Sequence, residues 1–205
     1  MRHAWKSFTA LAVLALAACS QEAQQDTNNA FDSTQNALTN TTEATGNMLG
    51  NAAQALMPTP SPQEFVDRAA RSDAYEIAAA ELAATNASSA EVKDFARMMI
   101  TAHKDSTETI KKAAAAATPA VTPSATLTAD QQDDLSELRA LKGAEFDKAY
   151  IDDQVDAHED ALALMRKYAA DGEAASLKAA AASIAPVVEQ HLARARTLDD
   201  ALDRD

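Results

Sequence analysis

The chain has 205 residues and a formal net charge of −13 at pH 7. A surface this acidic repels nucleic-acid phosphates and anionic lipid headgroups, so neither is an expected partner. Only four residues are glycine, which excludes a glycine-rich phosphate-binding loop. Alanine is abundant, and alanine is the best helix former, so the composition favours an all-α protein.

The N-terminus predicts an export signal. A basic start is followed by a short apolar run over residues 8–16 and the small residues Ala17 and Ala18 before Cys19. Leu16-Ala17-Ala18-Cys19 resembles the lipobox of bacterial lipoproteins, which implies cleavage after residue 18 and acylation of Cys19. Two or more acyl chains anchor a protein stably to a membrane. By the same resemblance, to lipoproteins of bacteria with two membranes, Ser20 after Cys19 implies the inner leaflet of the outer membrane, with the polypeptide facing the periplasm.

Residues 19–60 are rich in Gln, Asn and Thr and carry too little apolar surface to fold alone. We expect a flexible polar tether. Apolar residues recur there at roughly helical spacing, so a weak amphipathic helix is the alternative interpretation.

From residue 61 the sequence predicts one helical domain that extends to residue 205. Capping signals mark the helix starts, and a change to loop composition marks their ends. The predicted elements are a helix opened by Ser61 and ending near Asn86, a helix opened by the Ser88–Glu91 capping box and ending before Thr118, a short helix from Thr128 to near Gly143, a helix from about Ala144 to Ala170 with a glycine stop at Gly172, and a helix from about Ser176 to Leu202.

The long helices pair into two hairpins because the joints within each pair are short. The segment 118–142 between the hairpins is too long for a tight turn and can travel the length of the bundle. Two antiparallel hairpins joined by one long crossover containing a short helix is the ferritin-like four-helix topology.

Each long helix carries one polar side chain within its apolar stripe. His103, His158 and His191 occupy such positions on three helices, and Glu76 does so on the first. Each lies near the middle of its predicted helix. The sequence therefore predicts a buried cluster of three imidazoles and one carboxylate.

Two interpretations of this cluster remain open. The first is a mononuclear site for a transition metal, for which imidazole and carboxylate ligands suit Zn, Mn, Fe or Cu. The second is a set of buried polar residues that bind one another. A di-iron centre is not expected, because it requires Glu-x-x-His motifs and the residues three before the histidines are Ile100, Val155 and Val188.

Pro186 lies within the last predicted helix, where it removes one backbone donor. Either the helix is kinked beside His191, or it begins at Pro186.

Four segments together resemble a bacterial family of secreted and outer-membrane proteins, catalogued as a domain of unknown function with a ferritin-like bundle. The resemblance covers about residues 62–200 and implies the fold and an envelope location, but no activity, substrate or metal. Glu76, His103, His158 and His191 match the recurrent polar positions of the family, and Pro186 also fits. The segments are FVDRAARSDAYEIAAAELA, SSAEVKDFARMMITAHKD, GAEFDKAYIDDQVDAHEDALALMRKYA and PVVEQHLARARTL.

The functional expectation is a lipid-anchored periplasmic bundle of unknown biochemical activity, acting as a non-enzymatic binding module of the cell envelope or of a stress response. The alternative is a protein that binds one transition metal for storage or redox protection. An enzyme is not expected, because no serine has an adjacent histidine and acid and Cys19 is committed to the lipid. The sequence identifies no protein partner and no oligomeric state.

Overall fold

The computed structural model describes residues 58–204. The predicted signal peptide, Cys19 and nearly all of the predicted tether lie outside the described residues. Within them the chain forms five helices and no β-strand, and none of these helices is both long and apolar enough to cross a membrane. The helices are α1 (Pro62–Asn86), α2 (Ala90–Ala115), α3 (Ala129–Ala140), α4 (Ala144–Asp171) and α5 (Ala175–Leu202).

The predicted all-α bundle is confirmed. Helices α1 and α2 form one hairpin, α4 and α5 form the other, and the two hairpins meet through α1 against α4 and α2 against α5. Capping boxes at Ser61 and Thr128 open α1 and α3 as expected, because each cap side chain accepts from the third helical amide while Glu64 or Gln131 accepts from the cap amide.

The crossover runs along α1 from its beginning to its end. Its carbonyl oxygens at Thr122 and Thr126 accept bonds from Gln63 and Arg71, at 2.8 and 3.1 Å. Farther along, the carbonyl of Leu138 accepts a bond from Asn86 at the end of α1. These successive contacts show that the connection returns the chain to the starting end of the second hairpin, as the ferritin-like topology requires.

Two predicted helix boundaries and the predicted role of one glycine need correction. The N-cap of α2 is Ser89 and not Ser88, because the amide and hydroxyl of Ser88 bind the buried carboxylate of Asp147 instead. Helix α3 ends at Ala140, three residues before Gly143. Gly172 follows α4 as expected, but its φ of −61° is accessible to any residue. A glycine is needed there because a Cβ atom would lie only 2.6 Å from the carbonyl oxygen of Tyr168.

Pro186 lies inside α5, which is helical from Ala175 onward. The interpretation that the helix begins at Pro186 is therefore wrong.

A polar layer divides the core into two apolar clusters. One cluster contains Phe65 stacked on Tyr168, with a ring-centroid distance of 3.9 Å, and the other contains Phe146 stacked on Tyr150. Since the two clusters lie on either side of the layer, packing holds its side chains at one level of the bundle. The buried side chains of the layer are Asp73, Glu76, His103, Gln154, His158 and His191.

Candidate metal centre

Three helices each bring one histidine to a common point. His103 of α2, His158 of α4 and His191 of α5 have ring-centroid separations of 5.4 to 5.9 Å. One side-chain nitrogen from each ring lies within 4.8 Å of the other two. The three residues are only 6%, 1% and 6% exposed, so the shared point is inside the bundle.

Hydrogen bonds determine which nitrogen of two rings is available. The Nδ1 of His158 donates to the Gln154 carbonyl oxygen at 2.8 Å, because a carbonyl can only accept. The Nδ1 of His103 lies 2.9 Å from an oxygen of the Asp73 carboxylate. Each ring therefore keeps its Nε2 for another partner.

Three other nitrogens of these rings have no hydrogen-bond partner among residues 58–204. Nε2 of His103, Nε2 of His158 and Nδ1 of His191 are all buried and unpaired. Leaving a buried polar atom unpaired costs about 1–3 kcal/mol. Three such atoms in neighbouring rings form a donor set ready for a cation.

Asp73 is the functional residue that the sequence pattern missed. It is buried on α1, and its second oxygen accepts a bond from the Thr107 hydroxyl at 3.0 Å. A carboxylate behind a histidine fixes the ring orientation and raises the basicity of the free nitrogen, as at many metal sites. Its position three residues before Glu76, on the same helix face, was the signal that could have found it.

Glu76 is buried in the polar layer but is not part of the three-histidine group. Its carboxylate accepts a hydrogen bond from the side-chain amide of Gln154. Burial raises the pKa of Glu76 to about 7, although the charge of His103 and the Gln154 bond act in the opposite direction. The structure thus brings three of the four predicted side chains together and gives the fourth a different partner.

The histidines differ in basicity. Burial lowers the pKa of His158 to about 3 and that of His191 to about 4, and the charge of His103 adds to both shifts. Burial also lowers the pKa of His103, but the Asp73 hydrogen bond and the charges of Glu76 and Asp73 outweigh it, so this pKa is raised. Two of the rings are therefore neutral near pH 7 and offer lone pairs without losing a proton.

Neutral imidazoles are suitable ligands for zinc, copper, iron and nickel. The donor set has the size and composition of a mononuclear site. Among the described residues, these three histidines form the group whose ligand atoms lie close enough together to hold one metal ion.

Fold and site together define an all-α bundle with a buried three-histidine centre. The chain belongs to the family described as a domain of unknown function, DUF4142, which matches residues 47–198. The family resemblance inferred from the four sequence segments is confirmed.

Among solved structures, the fold is similar to that of a protein described as "CopM in the Cu(I)-bound form". The sequence identity is 17%, the match covers 67% of this chain and 94% of that chain, and the TM-score is 0.56. At this identity the likeness shows the shared fold. Among curated proteins, no sequence matches significantly.

Proposed function

We propose that this protein binds one copper ion, as Cu(I), through His103, His158 and His191, and so stores copper or keeps it from redox reactions. The observation that carries the proposal is the convergence of three buried, unpaired imidazole nitrogens. A similar fold in a Cu(I)-bound form adds support for this choice of metal. The bound ion would be a partner for three buried nitrogens that otherwise make no hydrogen bond to the described residues, two of them on neutral rings.

Charge favours a monovalent ion at this point. Burying a charge is unfavourable unless an opposite charge compensates it. Cu(I) brings one positive charge, which the Asp73 carboxylate balances through His103. A divalent ion would require Glu76 to be ionised as well, and burial raises the pKa of Glu76 to about 7.

The direct test is a titration of the metal-free protein with Cu(I), in competition with a chromophoric chelator and without oxygen. We expect one tightly bound ion per chain and an X-ray absorption spectrum dominated by nitrogen ligands. A protein that leaves all Cu(I) with the chelator, and whose melting temperature does not change with added Cu(I), would show that the histidines only bind one another.

The variant Asp73→Asn tests whether the Asp73 carboxylate orients the His103 ring for metal binding. The variant keeps the side-chain shape but loses the negative charge that fixes the His103 ring, so Cu(I) affinity should fall about 10- to 100-fold. Glu81→Gln is the matched control, because Glu81 is an exposed carboxylate on the same helix. Equal affinities in the two variants would contradict the role of Asp73.

We further propose that the protein is non-enzymatic and that acyl chains on Cys19 hold it at the outer membrane, facing the periplasm. The lipobox-like sequence before Cys19 supports this location. Labelled palmitate should enter the wild-type protein and not Cys19→Ala, and the variant should leave the membrane fraction. A variant that stays in the membrane fraction without label would contradict the anchor.

A further inference from the structure

A small cavity adjoins the three-histidine centre. His103 and His191 form part of its wall, together with Asp73. Its volume is about 30 Å³, which is enough for one water-sized occupant. Most of the remaining wall is apolar, including Ala69, Leu164, Met165, Ile184 and Val188.

The cavity reaches the protein surface between α2 and α5. Val187 of α5 lines it and is 42% exposed. Ala102 and Ser106 of α2 also line it, and both are half-buried. These side chains carry no charge, so they would not repel a cation that moves between the solvent and the histidines.

Met165 supplies a soft donor inside this cavity. It is buried in the same wall as the two histidines and lies on α4, two helical turns beyond His158. A thioether binds Cu(I) well and binds hard cations poorly. The methionine side chain has three rotatable bonds, so its sulfur can turn toward an ion at different depths of the cavity.

We propose that Cu(I) reaches and leaves the three histidines through this cavity, and that the Met165 thioether holds the ion in transit. The inference rests on the proposed function. In this exchange the copper remains Cu(I), and each bond to sulfur breaks as a bond to an imidazole nitrogen forms. The step therefore needs neither an oxidant nor a reductant. Asp73 adds a negative charge at the inner end of the cavity, which draws a cation inward.

The test measures release of Cu(I) from the loaded protein into excess bathocuproine disulfonate, followed by colour, alongside the dissociation constant. Met165→Leu keeps the apolar volume and removes the sulfur. We expect release to slow about tenfold, which corresponds to a barrier higher by about 1.4 kcal/mol, with the dissociation constant unchanged. Met99→Leu is the matched control, because Met99 is fully buried one turn before His103 but does not line the cavity.

A second pair of variants tests the mouth. Val187→Trp should slow release and Val187→Ala should accelerate it, whereas Ala179→Trp, at an exposed position of α5 away from the cavity, should leave the rate unchanged. Circular dichroism checks that each variant is folded.

The outcomes separate the two proposals. Wild-type release rates in both Met165→Leu and Val187→Trp would overturn the route while the copper site stands. A larger dissociation constant for Cu(I) in Met165→Leu would overturn the transit role, because Met165 would then be a permanent ligand. A wild-type protein that takes up no Cu(I) would overturn the proposed function itself.

Discussion

Replacing His158 with glutamine is expected to abolish stoichiometric Cu(I) binding. His158 is the donor from α4 in the three-histidine group, and its Nε2 atom is buried and unpaired. The remaining two imidazoles come from α2 and α5 and would hold the buried ion with one nitrogen ligand fewer. We expect a loss in affinity of more than about 100-fold, beyond the range for removing a residue that only supports a ligand.

The effect should also appear in stability. An ion that binds only the folded state stabilises it by about 2.7 kcal/mol when its free concentration is 100 times the dissociation constant. The wild-type protein should show this gain in a thermal or urea unfolding experiment, and His158→Gln should not. Lys104→Gln, an exposed change beside His103, serves as the control and should behave as wild type. The same copper-dependent gain in His158→Gln would remove His158 from the site.

The second large effect concerns Glu76 in the metal-free protein. Burial raises its pKa to about 7 from an ordinary value of 4.5. Between these pH values the folded state holds a proton that the unfolded state has released. The free energy of unfolding therefore loses about 1.4 kcal/mol per pH unit from this group as pH rises from 4.5 to 7, or about 3 kcal/mol in total.

Glu76→Gln removes this pH dependence and keeps an oxygen that can accept the bond from Gln154. We expect urea unfolding of the metal-free proteins to show that the free energy of unfolding of the variant, relative to that of the wild type, rises by up to about 3 kcal/mol between pH 5 and pH 8. Titrating groups that do not interact with Glu76 contribute equally to both proteins and cancel in this difference, so the remaining pH dependence belongs to Glu76 and to His103, whose pKa the charge of Glu76 raises. Glu81→Gln should show no such trend. A difference between Glu76→Gln and wild type that does not change with pH would mean that Glu76 is well solvated.

Local capping signals and distant contacts both determine where the helices begin. The Ser61 and Thr128 caps were predictable, because a capping box involves residues only three positions apart. The Ser88–Glu91 box failed although it has the same pattern. Asp147, 59 positions away in the sequence, binds the amide and hydroxyl of Ser88 and moves the cap to Ser89. The carboxylate of Asp147 therefore binds Ser88 in place of the nearby carboxylate of Glu91, which the capping box predicted.

The candidate site shows the same division. Helical periodicity predicted that His103, His158 and His191 face inward, because an apolar stripe repeats regularly along each helix. It also predicted Glu76 as inward, which is confirmed by its burial. Periodicity could not distinguish the roles of Asp73 and Glu76, since both lie on the buried side of α1. The distances to His103 and Gln154 made that distinction.

From the sequence alone follow the helical class, the two hairpins, the long crossover and the inward histidines, because all of these depend on local propensity, loop length and periodic burial. The tertiary structure decided that three nitrogens from separate helices converge and that Asp73 orients one of the three rings. It also decided that Met165 lines one cavity with two of the histidines. These features depend on the relative height and rotation of packed helices. The height and rotation of each helix are set by how the two apolar clusters pack on either side of the polar layer. They cannot be determined from any single segment of the sequence.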